Sequence, residues 1–250
     1  IYLVFHFPIF DNSKNISKRQ EIDFIIGKNF LLTANYNHSF LPIKEFMEKI
    51  EKSPEFADNI FGENAGVLFF HIMQYLYLFS LRELGYIQNK IDDIQEQIFL
   101  KKEKEMVEKI SIVSRDIIEF GRSIKPHQRI LASLEKPAED LFNENYKTYF
   151  SELLNEYFNL KNLFESTENT INSLQITNDS LVSIKGSEET RIISIIAFIT
   201  FPLMLFSSIF SMNTISTPII GAKGDFWIIS GIMITALAIM YTIFKNKRWI

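Results

Sequence analysis

Counting every seventh residue from position 166 gives Ser166, Ser173, Ser180, Ser187, Ser194, Phe201 and Ser208, small and hydroxylated at every step but one. The companion positions of the same heptad are Asn169, Ile176, Ser183, Thr190, Ala197, Met204 and Ser211. On a helix packed with a 3.5-residue period the two series form one stripe, mostly polar over its whole length. Lipid cannot hydrogen-bond hydroxyl groups, so such a stripe turns toward neighbouring helices or toward water. The spacing supports two readings equally: hydroxyl oxygens lining an aqueous path, with Thr190, Ser194, Ala197, Phe201, Met204 and Ser208 on its wall, or close helix packing through small residues. Phe201 and Met204 set one bulky apolar turn into the stripe, the pattern of a hydrophobic constriction that gates by dewetting.

Other groups with chemistry to offer are few. Glu188 and Glu189 follow Gly186 just before an apolar stretch, where a ring of carboxylates would concentrate cations; a solvated helix surface explains them equally well. Pro202 lies inside that stretch and removes one backbone donor. His6, His38, His71 and His127 are scattered, without metal-ligand spacing, nucleophile motif or glycine-rich phosphate loop, so no enzyme is expected. The absence of cysteine excludes disulfides and thiolate metal sites. A net charge of −4 with no basic face excludes nucleic acid as a partner.

The elements that must position these residues are legible in outline. Tyr2 to Phe10, Glu21 to Ile26 and Phe30 to Thr33 are apolar runs separated by turn chemistry, and read as three strands. Pro42 to Ile50 and Pro54 to Phe61 read as short helices, each opened by a proline. Residues 66–100 and 102–134 have helical spacing and form an antiparallel hairpin. After Pro137 a long seam begins, in which Leu153, Tyr157, Leu160, Phe164, Thr167, Ile171, Leu174, Asn178 and Leu181 alternate three and four residues apart. The opening Ile1-Tyr2-Leu3-Val4-Phe5 reads as mid-strand, so an N-terminally truncated sequence is expected.

Ile192 to Met212 and Phe226 to Phe244 carry no charge, and each is close to the roughly 20 residues that cross about 30 Å of hydrocarbon. Trp227 and Tyr241 lie near the ends of the second stretch, and Lys245-Asn246-Lys247-Arg248 follows it, so both ends of this hairpin are expected on the cytoplasmic side. Two spans cannot enclose water, so a path along the stripe requires several copies around a common axis.

Ser211-Met212-Asn213 closes the first span nine residues after Pro202, and the second span ends in a basic cluster with Trp249. In these features the chain resembles the CorA family of magnesium and cobalt channels over essentially its whole length. Phe201-Pro202-Leu203-Met204-Leu205-Phe206 is similar to the segment leading to the family's Gly-Met-Asn signature. Glu21 to Phe24, Gly27 to Phe30, Lys125-Pro126-His127 and Leu131 to Lys136 are similar to its cytoplasmic part. The resemblance implies an α+β cytoplasmic domain, mostly helical here, followed by a long stalk helix and two transmembrane helices, in a funnel-shaped homo-oligomer, a pentamer. It implies uptake of divalent metal cations, Mg²⁺ with Co²⁺ or Ni²⁺, across the cell (inner) membrane, and no organic cofactor. Ser211, Met212 and Asn213 would form the selectivity entrance, the Asn213 amide meeting the water shell of Mg²⁺, an ion that dehydrates reluctantly. Regulatory Mg²⁺ would bind between subunits at Asp11 and Glu152, whose carboxylates repel unless a cation separates them.

Two departures from the family pattern stand out. Ser211 replaces the signature glycine, and Thr217-Pro218-Ile219-Ile220 replaces a loop that often carries glutamate, leaving Asp225, offset by Lys223, as the nearby acid. The expected division is a partial α/β domain at 1–62, the hairpin at 63–136, the stalk at 137–190, a pore-lining span at 191–213, an external loop at 214–225, a second span at 226–244 and a basic tail at 245–250. Two alternatives remain open on the residues alone: a zinc transporter of the related Gly-Ile-Asn branch, and a membrane-anchored helical scaffold in which the stripe only packs.

Overall fold

The computed structural model describes residues 1–11, 16–36, 41–61, 64–100, 102–142, 146–212, 219–221 and 223–247. They form β1 (Tyr2–Asp11), β2 (Ile16–Ile26), β3 (Leu31–Asn35), α1 (Leu41–Lys52), α2 (Pro54–Phe61), α3 (Ala65–Gln97), α4 (Glu103–Ile124), α5 (His127–Phe142), α6 (Tyr146–Phe210) and α7 (Asp225–Asn246). The chain separates into two compact units, Ile1–Asp179 and Ser180–Ile250, and α6 contributes to both.

In the first unit the strands form an antiparallel sheet in the order β1-β2-β3, with Phe5 opposite Ile22 and Leu3 opposite Phe24. Alternation sends Leu3, Phe5, Phe7, Ile22, Phe24 and Ile26 to one buried face. The Phe24 ring meets Phe69 of α3 edge-on at 5.2 Å, and Phe5 meets His127 of α5 in the same manner at 4.9 Å. Strand β2 begins at Ile16, five residues before the run legible in the sequence. Polar Ser17 to Gln20 carry no apolar signal, yet they pair in register with Phe10, Ile9, Pro8 and Phe7 of β1. In the turn into β3 the exposed Phe30 ring lies over Gly27, in the space a Cβ would take.

Helix α3 starts at Asn64, whose side-chain oxygen accepts the Gly66 and Val67 amides at 2.9 and 3.2 Å, a side-chain N-cap. The second arm of the hairpin is two helices where one was expected. Pro126 has no amide proton to continue the ladder, so α4 ends and α5 starts beside it. Pro137, expected to precede the long helix, instead lies inside α5 on its exposed side, and the long helix begins at Tyr146.

The seam of α6 packs as its spacing predicts. Leu153, Tyr157, Leu160, Phe164, Thr167, Ile171, Leu174 and Asn178 are buried, and Leu181 is half-buried. Phe164 stacks on Phe120 of α4 at 5.7 Å, and Gly121 lets the helices approach so closely that an added Cβ would lie 2.7 Å from the Phe164 ring. A part-buried ion pair joins the hairpin arms, Lys90 of α3 meeting Asp116 of α4 at 3.0 Å, and Asp116 ties them to the sheet by accepting the Ser17 amide at 3.1 Å.

In the second unit, α7 buries no residue at all, and almost none of the apolar stretch of α6 is buried within the chain. Both helices are long and apolar enough to cross a membrane. Such surfaces require lipid or further helices around them.

Candidate functional site

The stripe residues Thr190, Ser194, Ala197, Phe201, Met204, Ser208 and Ser211 follow one another at alternating four- and three-residue steps. At 100° per residue they fall within an arc of about 100° on α6. All are exposed except Ala197, which is half-buried; Phe201 and Met204 are 67% and 60% exposed. The side of α6 that its own unit shields is a different one, with Ile195 buried and Ile199, Pro202, Leu203 and Phe210 half-buried. On α7 the half-buried positions include Ile229, Met233, Ala236, Met240 and Phe244. These apolar residues supply the internal shielding of the second unit. The hydroxyl stripe is left for surroundings outside the chain.

The hydroxyl groups have a fixed polarity. Thr190 Oγ1 donates to the Gly186 carbonyl at 2.9 Å, Ser194 Oγ to Thr190 at 2.9 Å, and Ser211 Oγ to Ser207 at 2.9 Å. Each spends its only proton on the backbone four residues earlier, so the group it shows outward is an oxygen with lone pairs. Such a surface accepts hydrogen bonds. The waters around a cation point their protons outward and match it, whereas a bare anion finds no donor.

At the end of the helix the serine of the variant signature fits without strain. The Ser211 amide donates to Ser207 at 3.0 Å, and its backbone stays out of the left-handed region that would call for glycine. Met212 is exposed. Asn213 lies outside the described residues, as do Thr217 and Pro218. Asp225, the remaining acid of the loop, accepts the Gly221 amide at 3.2 Å and the Phe226 amide at 2.7 Å. Its carboxylate thus shapes the turn into α7, between Gly221 and Gly224 at positive φ and the first helical residues. Glu188 and Glu189 are exposed on α6.

The two carboxylates expected to bind regulatory Mg²⁺ sit on different elements. Asp11 ends β1, and its side chain lies outside the described residues. Glu152 is exposed on α6, close enough to α3 for its charge to act on His71. Burial lowers the His71 pKa, and a hydrogen bond with Gln74 and the Glu152 carboxylate oppose that shift. Glu83 belongs to no motif in the sequence. Its carboxylate accepts the Phe10 amide at 2.6 Å, beside Asp11 in the chain, and burial raises its pKa against the opposing effects of that bond and of Arg82. Only a contact across 73 residues reveals this acid. Among the described residues no three His, Cys, Asp or Glu side chains converge as a metal cluster within one chain.

The histidine between the two halves of the first unit is structural, as its isolation suggested. His127 Nε2 donates to the His6 carbonyl at 2.8 Å while Nδ1 lies 3.2 Å from the Tyr77 hydroxyl, and burial pushes its pKa down to about 3.

Residues 1–248 match the family model described as CorA-like Mg²⁺ transporter protein. The cobalt/magnesium transport protein CorA of Thermotoga maritima is 24% identical over all of this chain and 70% of its own length. A second CorA of that description, from Methanocaldococcus jannaschii, is 20% identical over 76% of this chain and 60% of its own length. Among solved structures, the complete CorA magnesium transporter of Methanocaldococcus jannaschii superimposes with a TM-score of 0.82 at 19% identity, covering 100% of this chain and 77% of that one. The full-length CmaX protein superimposes with a TM-score of 0.71 at 14% identity, covering 99% and 74%. At these identities the structural likeness shows the fold.

Proposed function

This chain belongs to the family of CorA-like Mg²⁺ transporter proteins, and on that footing we propose that it is one subunit of a channel that admits hydrated Mg²⁺ along the α6 stripe. As a CorA-family protein it is a divalent cation transporter of the membrane, not an enzyme. One observation carries the finer reading: apart from half-buried Ala197 the stripe is exposed within the chain, and the hydroxyl protons of Thr190, Ser194 and Ser211 are turned back onto the helix, so that their acceptor oxygens face outward.

In this reading several subunits, five as in the family pattern, place their α6 stripes around one axis in the cell (inner) membrane, with both termini cytoplasmic. Helix α6 supplies the stalk and the pore-lining span at 191–213, residues 214–225 the external loop, and 226–244 the second span. Thr190, Ser194, Ala197 and Ser208 line the path for an ion that keeps its waters, because inner-shell loss is slow and costly for Mg²⁺. Phe201 and Met204 form the constriction that excludes water when the ring narrows. Ser211, Met212 and Asn213 form the outer entrance, where a ring of Asn213 amide oxygens accepts hydrogen bonds from the ion's waters. Co²⁺ and Ni²⁺ carry similar hydration shells and follow the same route. Mg²⁺ between Asp11 of one subunit and Glu152 of the next holds the path shut when internal Mg²⁺ is high, and its loss lets the carboxylates push the subunits apart.

Uptake into liposomes holding a Mg²⁺-sensitive dye tests this, with Asn213→Ala measured beside the unaltered protein. Uptake lost in Asn213→Ala supports the path and its entrance. A folded oligomer that passes no Mg²⁺ overturns the reading: Zn²⁺ uptake driven by a pH gradient would then identify a zinc carrier, and no flux of either ion a scaffold.

A further inference from the structure

The link between α3 and α4 lacks turn chemistry. Residues 98–102 read Ile-Phe-Leu-Lys-Lys, with none of the glycine, proline, asparagine, aspartate or serine that usually carry a chain around a tight corner. Ile98 is buried and closes the core row of α3. The Leu100 amide then donates to the Gln97 carbonyl at 2.9 Å, and at this turn Phe99 and Leu100 leave the packing, 71% and 62% exposed. Among the described residues of the first unit they are the only chain neighbours that are both large, apolar and exposed. Water is a poor surrounding for two such groups side by side.

The charges beside the pair narrow what covers it. Lys101, Lys102 and Lys104 follow it in the sequence, and Lys102 and Lys104 are exposed. Glu105 offsets part of this charge, meeting Lys102 at 3.5 Å on the surface. Aromatic and aliphatic groups next to lysines suit the edge of a bilayer. The apolar side chains enter the boundary between headgroups and acyl chains, and the ammonium groups stay among the phosphates.

The bilayer is also near along the chain. Val107 of α4 and Asp179 of α6 line one cavity, and Phe99 and Leu100 lie only two turns of chain before Val107. Ile192, where the apolar stretch of α6 begins, follows Asp179 on the same helix after thirteen residues, about 20 Å of helical rise. So short a tether keeps the hairpin tip within reach of the headgroup layer, which is continuous with the surroundings of the two spans.

We propose that the tip of the α3–α4 hairpin is a lipid-binding surface, in which Phe99 and Leu100 enter the headgroup layer of the bilayer and the lysines that follow meet its phosphates. The tip is then a second attachment of the first unit to the membrane, besides the continuous helix α6. The inference rests on α6 and α7 lying in a bilayer, and not on the ion path.

The chain has no cysteine, so single cysteines can be spin-labelled without altering other positions. Phe99→Cys, Leu100→Cys, Lys102→Cys, Tyr86→Cys and Ile234→Cys, each in the full chain, are placed in vesicles of phosphatidylcholine and phosphatidylglycerol. Power saturation compares collisions with oxygen, which concentrates in lipid, and with a nickel chelate present in the water on both sides. Labels at 99 and 100 should shift toward oxygen relative to the label at 86, an exposed position of α3. The label at 102 should lose that shift when Phe99→Ser and Leu100→Ser are added, which shows that the native side chains hold the tip in place. Labels at 99 and 100 that match the label at 86 would overturn the proposal, and so would labels reached by neither agent, the result of packing against another subunit. The label at 234 reports the span itself: if it too collides mainly with nickel, the membrane reading fails together with the tip, whereas oxygen at 234 and nickel at 99 and 100 removes the tip alone.

Discussion

The imidazole of His127 on α5 holds the backbone carbonyl of His6 on β1 at 2.8 Å, across 121 residues of chain. This bond joins sheet to hairpin and requires a proton on Nε2, leaving Nδ1 to accept from the Tyr77 hydroxyl. The ring is neutral in the folded protein down to about pH 3, whereas an unfolded histidine protonates near 6.5. Between these values the unfolded chain binds the extra proton. Stability from this group therefore falls on acidification, by about 1.4 kcal/mol for each pH unit below about 6.5. Unfolding of the full chain by denaturant at pH 7 and pH 5 should show the loss, and His127→Gln should have a shallower pH dependence from a lower starting stability.

Gly121 predicts a packing effect. A methyl group at this position meets the Phe164 ring at 2.7 Å, so Gly121→Ala should destabilise the first unit by about 1–3 kcal/mol. Phe164→Leu should cost stability alone and recover part of it when combined with Gly121→Ala. A double-mutant cycle of thermal or denaturant unfolding gives the coupling, and strict additivity would contradict the close approach.

Asp116 gives a prediction about buried charge. Asp116→Asn leaves Lys90 without its carboxylate partner and weakens the bond from the Ser17 amide. Lys90 keeps partial contact with water, so the expected cost is about 2 kcal/mol, below that of breaking a fully buried pair. The variant should retain cation uptake once folded, and a denaturation midpoint measured beside a flux assay separates the two effects.

Thr190 tests the lining. Thr190→Val keeps the shape of the side chain and removes the acceptor oxygen, so Mg²⁺ uptake should fall by about tenfold if one favourable water contact per subunit is lost. Thr190→Ser retains the oxygen and should conduct nearly as well as the unaltered protein. Equal uptake in Thr190→Val and Thr190→Ser would remove Thr190 from the path.

The regulatory carboxylates give the last prediction. Replacing both Asp11 and Glu152 with alanine should leave uptake active at internal Mg²⁺ concentrations that silence the unaltered protein. An unchanged dependence on internal Mg²⁺ would take regulation away from this pair, and Glu83→Gln then becomes the informative variant because its carboxylate already holds the end of β1.

The sequence by itself determined the features set by a local repeat. The seam from Leu153 to Asn178, the stripe from Thr190 to Ser211 and the two apolar spans are legible because helical periodicity depends only on spacing along one element. The proline-opened α1 and α2 are legible for the same reason, since a fixed φ acts where it stands. Tertiary structure decided what depends on groups distant in sequence. Ser17 to Gln20 are strand because β1 offers them partners, and Pro137 lies inside α5 on its exposed side although a proline removes one bond of the helical ladder. Glu83 is tied to Phe10, and His127 to His6, by contacts across 73 and 121 residues. The identity of the shielded side of α6 belongs in the same class. Spacing shows that a helix has two different faces; only the packed second unit shows that Ile195, Ile199 and Leu203 turn inward and the hydroxyl stripe does not.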